Sequence, residues 1–183
     1  RGMCRTFQQM QICMNMTAIE NVMLGRHRHL GQGTLASLLK LPALRRGDHA
    51  CRQQCADLME FVGCGQYLNH HASAMPYGAL NRLEIARALA SEPDILLLDE
   101  PAAGLNRTET DALRDVIRKI ADKGITVVLV EHDMKLVMSV SDQVLVLCYG
   151  RQLAEGTPDQ IRANPDVIDA YLGSRKPEEE ALA

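Results

Sequence analysis

Two adjacent carboxylates, Asp99-Glu100, close the apolar run Ile95-Leu96-Leu97-Leu98. A short apolar run that follows the turn residues Ser91-Glu92-Pro93 reads as a buried parallel strand. Ligands of open α/β sheets bind at the carboxyl ends of strands. Two acids there are costly to desolvate unless a cation or a proton-transfer task occupies them. The arrangement suits a nucleotide-bound Mg2+ held near Asp99, with Glu100 aimed at an attacking water. A strand ending in a solvated loop has the same local pattern. A second candidate is Glu131-His132-Asp133, after the apolar run of residues 125–130. It brings a His to the same sheet edge, where the choice lies between a phosphate contact and a structural role. A third is Met75-Pro76-Tyr77-Gly78, leading into a helix over residues 82–89. Helix N-termini present N–H groups and a positive dipole end to anions, although many helices start after a Pro-x-Gly turn.

The elements that position these residues follow from pattern. Residues 16 to about 90 carry helical signals. Thr17 and Glu20 form a capping box ahead of Ile19, Val22 and Met23. Residues 25–47 are Gly-containing and basic, read as a loose stretch. A helix over 48–62 places Cys51, Cys55, Leu58, Met59 and Val62 on one face, and Gly63-Cys64-Gly65 ends it. The runs 95–98 and 125–130 flank a helix striped with Leu113, Val116, Ile117 and Ile120, which makes a βαβ unit. A helix over 134–140 leads to a third strand over 143–148, and Tyr149-Gly150 turns the chain into residues 151–154. Thr157-Pro158-Asp159-Gln160 and Asn164-Pro165 are two helix starts.

Composition narrows the classes. The 183 residues are 46% apolar but only 3% aromatic, with no Trp and nine Met. That suffices for one domain with a core built on aliphatic residues and Met. A net charge of -3 lacks the basic excess of a nucleic-acid binder. The longest apolar run is far short of the ~20 residues that span a bilayer. The six Cys are irregularly spaced, without a Cys-x-x-Cys pair, and read as reduced thiols rather than a metal site. The pairs His27/His29 and His70/His71 carry no assigned role.

Taken together, the segments resemble the ATP-binding subunits of ABC transporters. Arg5-Thr6-Phe7-Gln8 resembles the Q-loop, and Met75-Pro76-Tyr77-Gly78 with its helix resembles the signature motif. Residues 95–100 resemble Walker B, Ala103-Gly104-Leu105-Asn106 the D-loop, and Glu131-His132-Asp133 the switch-histidine loop. All five occur in the family's order. The wording of residues 16–21, 99–106, 131–138 and 155–173 is similar to the branched-chain amino-acid importer subfamily. The resemblance implies an α/β fold: a P-loop NTPase, RecA-like core with a parallel sheet, incomplete at the N-terminus. A helical ABC subdomain and a helical C-terminal tail accompany it. It further implies a division into residues 1–90 (Q-loop and helical subdomain), 91–154 (RecA-like core) and 155–183 (C-terminal extension).

By the same resemblance, Gln8 senses Mg2+ and the γ-phosphate, Asp99 holds Mg2+, and Glu100 polarises the attacking water. His132 contacts the γ-phosphate, Gly78 offers its N–H to ATP on the opposite subunit, and Asn106 sits at the dimer interface. The implied cofactors are ATP and Mg2+. The implied partners are a second ATPase subunit, integral-membrane permease subunits and, indirectly, a solute-binding protein, with no nucleic acid. The implied location is the cytoplasmic face of the plasma (inner) membrane, as a peripheral subunit.

Three departures qualify this reading. The Gly-x-x-x-x-Gly-Lys-Ser/Thr phosphate loop is not in the sequence, and no Lys follows a Gly. Ala79-Leu80-Asn81 stand in the positions after the signature glycine where the family usually carries Gln or Glu, and Arg, and Pro76 stands where most members carry Ser. Arg107 replaces the usual Pro after the D-loop. The competing readings are a non-catalytic remnant that docks on a permease without binding ATP, and an ATPase serving an importer of another solute, such as urea or amides. A DNA-repair-type ABC ATPase fits poorly, because residues 10–75 show no sustained heptads. Charge-assisted hydrogen bonds contribute about 1.5–3 kcal/mol each. Lacking several of them weakens ATP binding by roughly four orders of magnitude or more. The purified 183-residue chain is therefore expected to show no ATP turnover and to associate through an unpaired sheet edge, which a phosphate-release assay and light scattering check.

Overall fold

The computed structural model describes residues 2–6, 10–26 and 42–172, in two units, Arg1–Glu131 and His132–Ala183. The first unit is built on three parallel strands in the order β1 (Met3–Arg5), β2 (Ile95–Asp99) and β3 (Thr126–Val130). Cys4 pairs with Leu96, and Leu96 with Val127; at the far end Asp99 pairs with Val130. Leu96 and Leu98 on β2 are fully buried, as a strand bonded on both sides requires. The expected crossover from β2 to β3 is present as α4 (Arg107–Asp122), whose Leu113, Val116, Ile117 and Ile120 are its buried residues. Among the described residues β3 pairs only with β2, and its Val128 and Val130 are exposed.

Between β1 and β2 lie α1 (Ala18–Gly25), α2 (Pro42–Phe61) and α3 (Tyr77–Leu89), with α1 packed on both α2 and α3. The capping box read from the sequence starts α1: the Thr17 N–H donates to Glu20 at 2.8 Å, and the Glu20 N–H donates back to the Thr17 hydroxyl. These bonds to Thr17 hold the Glu20 carboxyl below its ordinary value. Asn21 on the same helix is fully buried. Its Nδ2 donates to the carbonyls of Cys13 and Thr17, and its Oδ1 accepts from the Cys13 N–H. One side chain thus satisfies the backbone of the segment leading into α1. Gly25 allows the end of α1 to approach α3, because a Cβ there would overlap the Arg87 carbonyl.

The second unit contains α5 (Met134–Val140), the strands β4 (Val144–Cys148) and β5 (Arg151–Gly156), α6 (Pro158–Ala163) and α7 (Pro165–Leu172). Its core is Val144, Ala154, Ile161 and Val167, flanked by Met134, Val137 and Met138. The start of α6 is as expected, with Thr157 as cap, Pro158 in the first turn and Gln160 completing the box.

Several elements differ from the sequence reading. Residues 3–5 form a strand where none is expected, because three residues are too few to show a period. The helix expected over 48–62 begins at Pro42 and ends at Phe61; Pro suits a first helical position. The interior Gly47 costs about 1 kcal/mol, which a twenty-residue helix absorbs. The rest of the loose stretch, residues 27–41, lies outside the described residues. The third expected strand exists as β4, and the turn read at Tyr149-Gly150 leads it into β5, with which it pairs antiparallel. The cause is local: Tyr149 (φ 49°) and Gly150 (φ 77°) are both left-handed, the geometry of a two-residue hairpin turn. At the end of α2, Gly63 is left-handed, with Cys64 N–H donating to the Met59 carbonyl and Gly63 N–H to that of Glu60. This is a Schellman closure, as the Gly-Cys-Gly sequence suggests.

All six cysteines are free thiols; Cys51, Cys55 and Cys64 are buried, and Cys4, Cys13 and Cys148 are half-buried. Burial, with Cys51 beside it, pushes the Cys55 thiol from 9.0 up to about 12. Burial also raises Cys64, whose Sγ–H donates to the Ala79 carbonyl. Between pH 9 and 12 the folded chain therefore keeps a proton at Cys55 that the unfolded chain has lost. Stability is accordingly expected to fall as pH rises above about 9, measured as denaturant midpoint against pH. In maleimide labelling of the native chain, Cys4, Cys13 and Cys148 should react, and Cys51, Cys55 and Cys64 only after unfolding.

Candidate functional site

At the carboxyl end of β2 the backbone leaves the sheet through a tight turn. Asp99 is the last strand residue, and the Glu100 N–H continues the ladder by donating to the Val130 carbonyl at 2.9 Å. Glu100 itself adopts φ 45°, a left-handed conformation. For a residue with a side chain this costs on the order of 1–3 kcal/mol, and such strain clusters at functional sites. The turn closes with the Ala103 N–H donating to the Glu100 carbonyl at 3.1 Å, and Gly104 follows at φ 76°.

Side chains from three elements converge on this turn. From β1, Arg5 pairs with Asp99 at 2.7 Å, while the Thr6 hydroxyl accepts the Asp99 N–H at 3.5 Å. The Asp99 side chain is 26% exposed, so it is reachable from solvent with its partner in place. From α3, Asn81 Nδ2 donates to the Pro101 carbonyl at 2.8 Å. From the end of β3, Glu131 Oε1 accepts the Ala102 N–H at 2.7 Å. A small cavity of about 20 Å³ lies against Thr6, Asn81, Glu84, Asp99 and Glu100. The buried Glu84 faces the backbone of Gln11, accepting its N–H at 3.4 Å, while Arg87 donates to the Gln11 carbonyl.

The other predicted residues fall as follows. Gly78 is the buried second residue of α3, in the first turn, where N–H groups have no intrahelical acceptor. The Glu109 carboxylate lies against it, where a Cβ on Gly78 would overlap. Asn106 is the N-cap of α4: its Oδ1 accepts the Glu109 N–H, and Glu109 accepts the Asn106 N–H, both at 3.0 Å. Glu109 therefore both completes this capping box and covers Gly78. Tyr77 packs against Gly104, so α3 and the turn after Glu100 are in contact. His132 is exposed and opens the second unit ahead of α5, which Asp133 caps by accepting from the N–H groups of Lys135 and Leu136. Gln8 lies outside the described residues.

The structure thus brings Asp99, Glu100, Gly78 and Asn106 to one end of the first unit's elements. It adds Arg5, Asn81, Glu109 and Glu131, which sequence reading left without a role. Asn106-x-x-Glu109 is a readable capping box; Asn81 and Glu131 carry no local signal, since each bonds a distant backbone group. Among the described residues no three metal-ligating side chains cluster. The donor set fits Mg2+ nonetheless, because that ion is commonly held by one or two carboxylates with water and phosphate oxygens.

Residues 1–103 match the ABC transporter family, and residues 151–177 match a branched-chain amino acid ATP-binding cassette transporter family. The chain is 49% identical over 174 residues to the high-affinity branched-chain amino acid transport ATP-binding protein BraF of Pseudomonas aeruginosa, covering 94% of this chain and 68% of BraF. It is 46% identical over 173 residues to the corresponding protein LivG of Escherichia coli, again covering 68% of it. Among solved structures, the ADP conformation of an ATP-binding cassette of an ABC transporter superposes with a TM-score of 0.75 at 27% identity, over 94% of this chain and 68% of that one. Replacing Gly78 with Ala is expected to push the Glu109 carboxylate away and break its bond to the Asn106 N–H, costing about 1 kcal/mol. Gly78→Ala should therefore lower the unfolding midpoint, and Glu109→Ala in the same chain should remove most of the difference between Gly and Ala at position 78.

Proposed function

The chain belongs to the ABC transporter family of ATP-binding proteins, and we propose that it is the ATP-hydrolysing subunit of an importer for branched-chain amino acids. The observation that carries the reading is the Asp99-Glu100 turn: two carboxylates at the carboxyl end of a central parallel strand, the second held at φ 45°. Its resemblance to BraF and LivG, and the family match over residues 151–177, support the solute class.

In this reading Asp99 and Gln8 would hold Mg2+, which would supply positive charge to offset that of the nucleotide's phosphates. Glu100 orients and polarises the attacking water. Its carboxylate suits a general base because the turn fixes its backbone while the side chain keeps access to solvent. His132 contacts the γ-phosphate. Gly78, in the first turn of α3, offers its N–H to a nucleotide bound on a second ATPase subunit, and Asn106 lies at that dimer interface. The subunit works at the cytoplasmic face of the plasma membrane with permease subunits and, through them, a solute-binding protein. Among the described residues no helix is long and apolar enough to cross a membrane.

The decisive experiment is Glu100→Gln in the full-length subunit. General-base catalysis contributes about 10²–10⁴-fold, so turnover should fall by at least about 100-fold while ATP-driven subunit association persists. Unchanged turnover would remove Glu100 from the mechanism.

A further inference from the structure

One peptide unit beside Glu100 is gripped at both of its polar atoms. The Pro101 carbonyl accepts from Asn81 Nδ2 at 2.8 Å, and the Ala102 N–H of the same peptide donates to Glu131 Oε1 at 2.7 Å. A trans peptide points its C=O and N–H in opposite directions. Asn81, from α3, and Glu131, from the end of β3, therefore hold this unit from opposite sides. Rotation of the unit would break both bonds together. The proline ring fixes φ at Pro101, and the gripped peptide fixes the torsion that follows. On the other side, the Glu100 N–H is bonded to the Val130 carbonyl. Glu100 thus sits between two anchored points, in a conformation that persists only where surrounding contacts over-determine it.

The chemistry of the two side chains is specific to the task. A carbonyl only accepts, so Asn81 must present its amide NH2 to Pro101. Its Oδ1 is then buried without a partner among the described residues. The amide is therefore placed for the one bond it donates. Glu131 presents an acceptor to a backbone N–H, a strong charge-assisted contact. Both bonds are long-range, spanning 20 and 29 residues. They make the turn depend on α3 and β3 rather than on its own sequence.

We propose that Asn81 and Glu131 are positioning residues that clamp the peptide between Pro101 and Ala102 and so aim the Glu100 carboxylate. The proposal rests on Glu100 being the general base. It also gives Asn81, a departure from the family signature, a role within its own subunit.

The test is steady-state ATPase kinetics of the full-length subunit, together with hydrogen exchange at the Ala102 amide. Asn81→Leu and Glu131→Ala should each lower kcat by about tenfold or more, because small misplacements of a catalytic group are costly, while KM for ATP stays within about twofold. Glu131→Gln keeps an oxygen facing Ala102 and should recover most of the loss. Ala102 exchange should accelerate in Glu131→Ala but not in Glu131→Gln. In a Glu100→Gln background neither clamp substitution should lower the residual turnover further, since coupled positions do not add.

If Glu100→Gln abolishes turnover but the clamp variants keep wild-type kcat, the clamp is wrong and the general-base reading stands. If the clamp variants raise KM and lower kcat together, and do so equally in the Glu100→Gln background, their role is merely structural and the proposal fails. Unaltered exchange at Ala102 in Glu131→Ala would remove the bond itself. Turnover unaffected by Glu100→Gln would overturn the general-base reading and the clamp with it.

Discussion

The parallel ladder of β2, bonded to β1 on one side and β3 on the other, fixes where chemistry can occur in the first unit. A strand paired on both edges cannot slide without losing every bond of both ladders. Its end, at Asp99, is thereby set against Arg5 and Thr6 from one neighbour and Val130 from the other. Once that end is fixed, the turn at Glu100 has to leave the sheet at one place. The energy stored in its left-handed backbone is offset by bonds that the ladder has already brought into reach.

The same end of the sheet shows how polar groups substitute for one another. Arg5 neutralises Asp99, and Glu109 covers the first turn of α3 at Gly78. Each is a protein charge standing where the family reading places a charge of the nucleotide complex: a cation beside Asp99, an anion at Gly78. Arg5–Asp99 is more than half exposed on the arginine side, so its attraction is screened and it can open readily. Glu109 is held by its cap to Asn106, which makes the cover of Gly78 and the start of α4 a single unit.

What the sequence made legible was local. The caps at Thr17 and Thr157, the Gly63 closure, the stripe of α4 and the acids after β2 each declare themselves within a few residues. The family resemblance then joined those local marks into one reading. The rest was not legible because it depends on distance along the chain. The strand at residues 3–5 is too short to carry a period and exists because β2 offers an edge. β5 runs two residues past the expected 154, to Gly156, because its pairing with Val144 and Leu145 on β4 extends it. Asn81 looked like a departure from a motif, and Glu131 like the residue before a histidine. Their function appears only when α3, β3 and the turn after Glu100 are brought together.

The pairing of Met3 with Ile95 also sets an order of events during biosynthesis. β1 is made before β2, and its partner emerges more than ninety residues later. At 5–20 residues per second that delay is roughly five to twenty seconds. Helices form in about a microsecond, so α1, α2 and α3 can assemble with one another while β1 is still unpaired. The helical part is then a spacer that must be finished, and its ends drawn together, before the sheet can close. A nascent chain stalled between the two strands would leave the edge of β1 that β2 takes without that partner, an exposed strand edge of the kind that invites pairing with other chains.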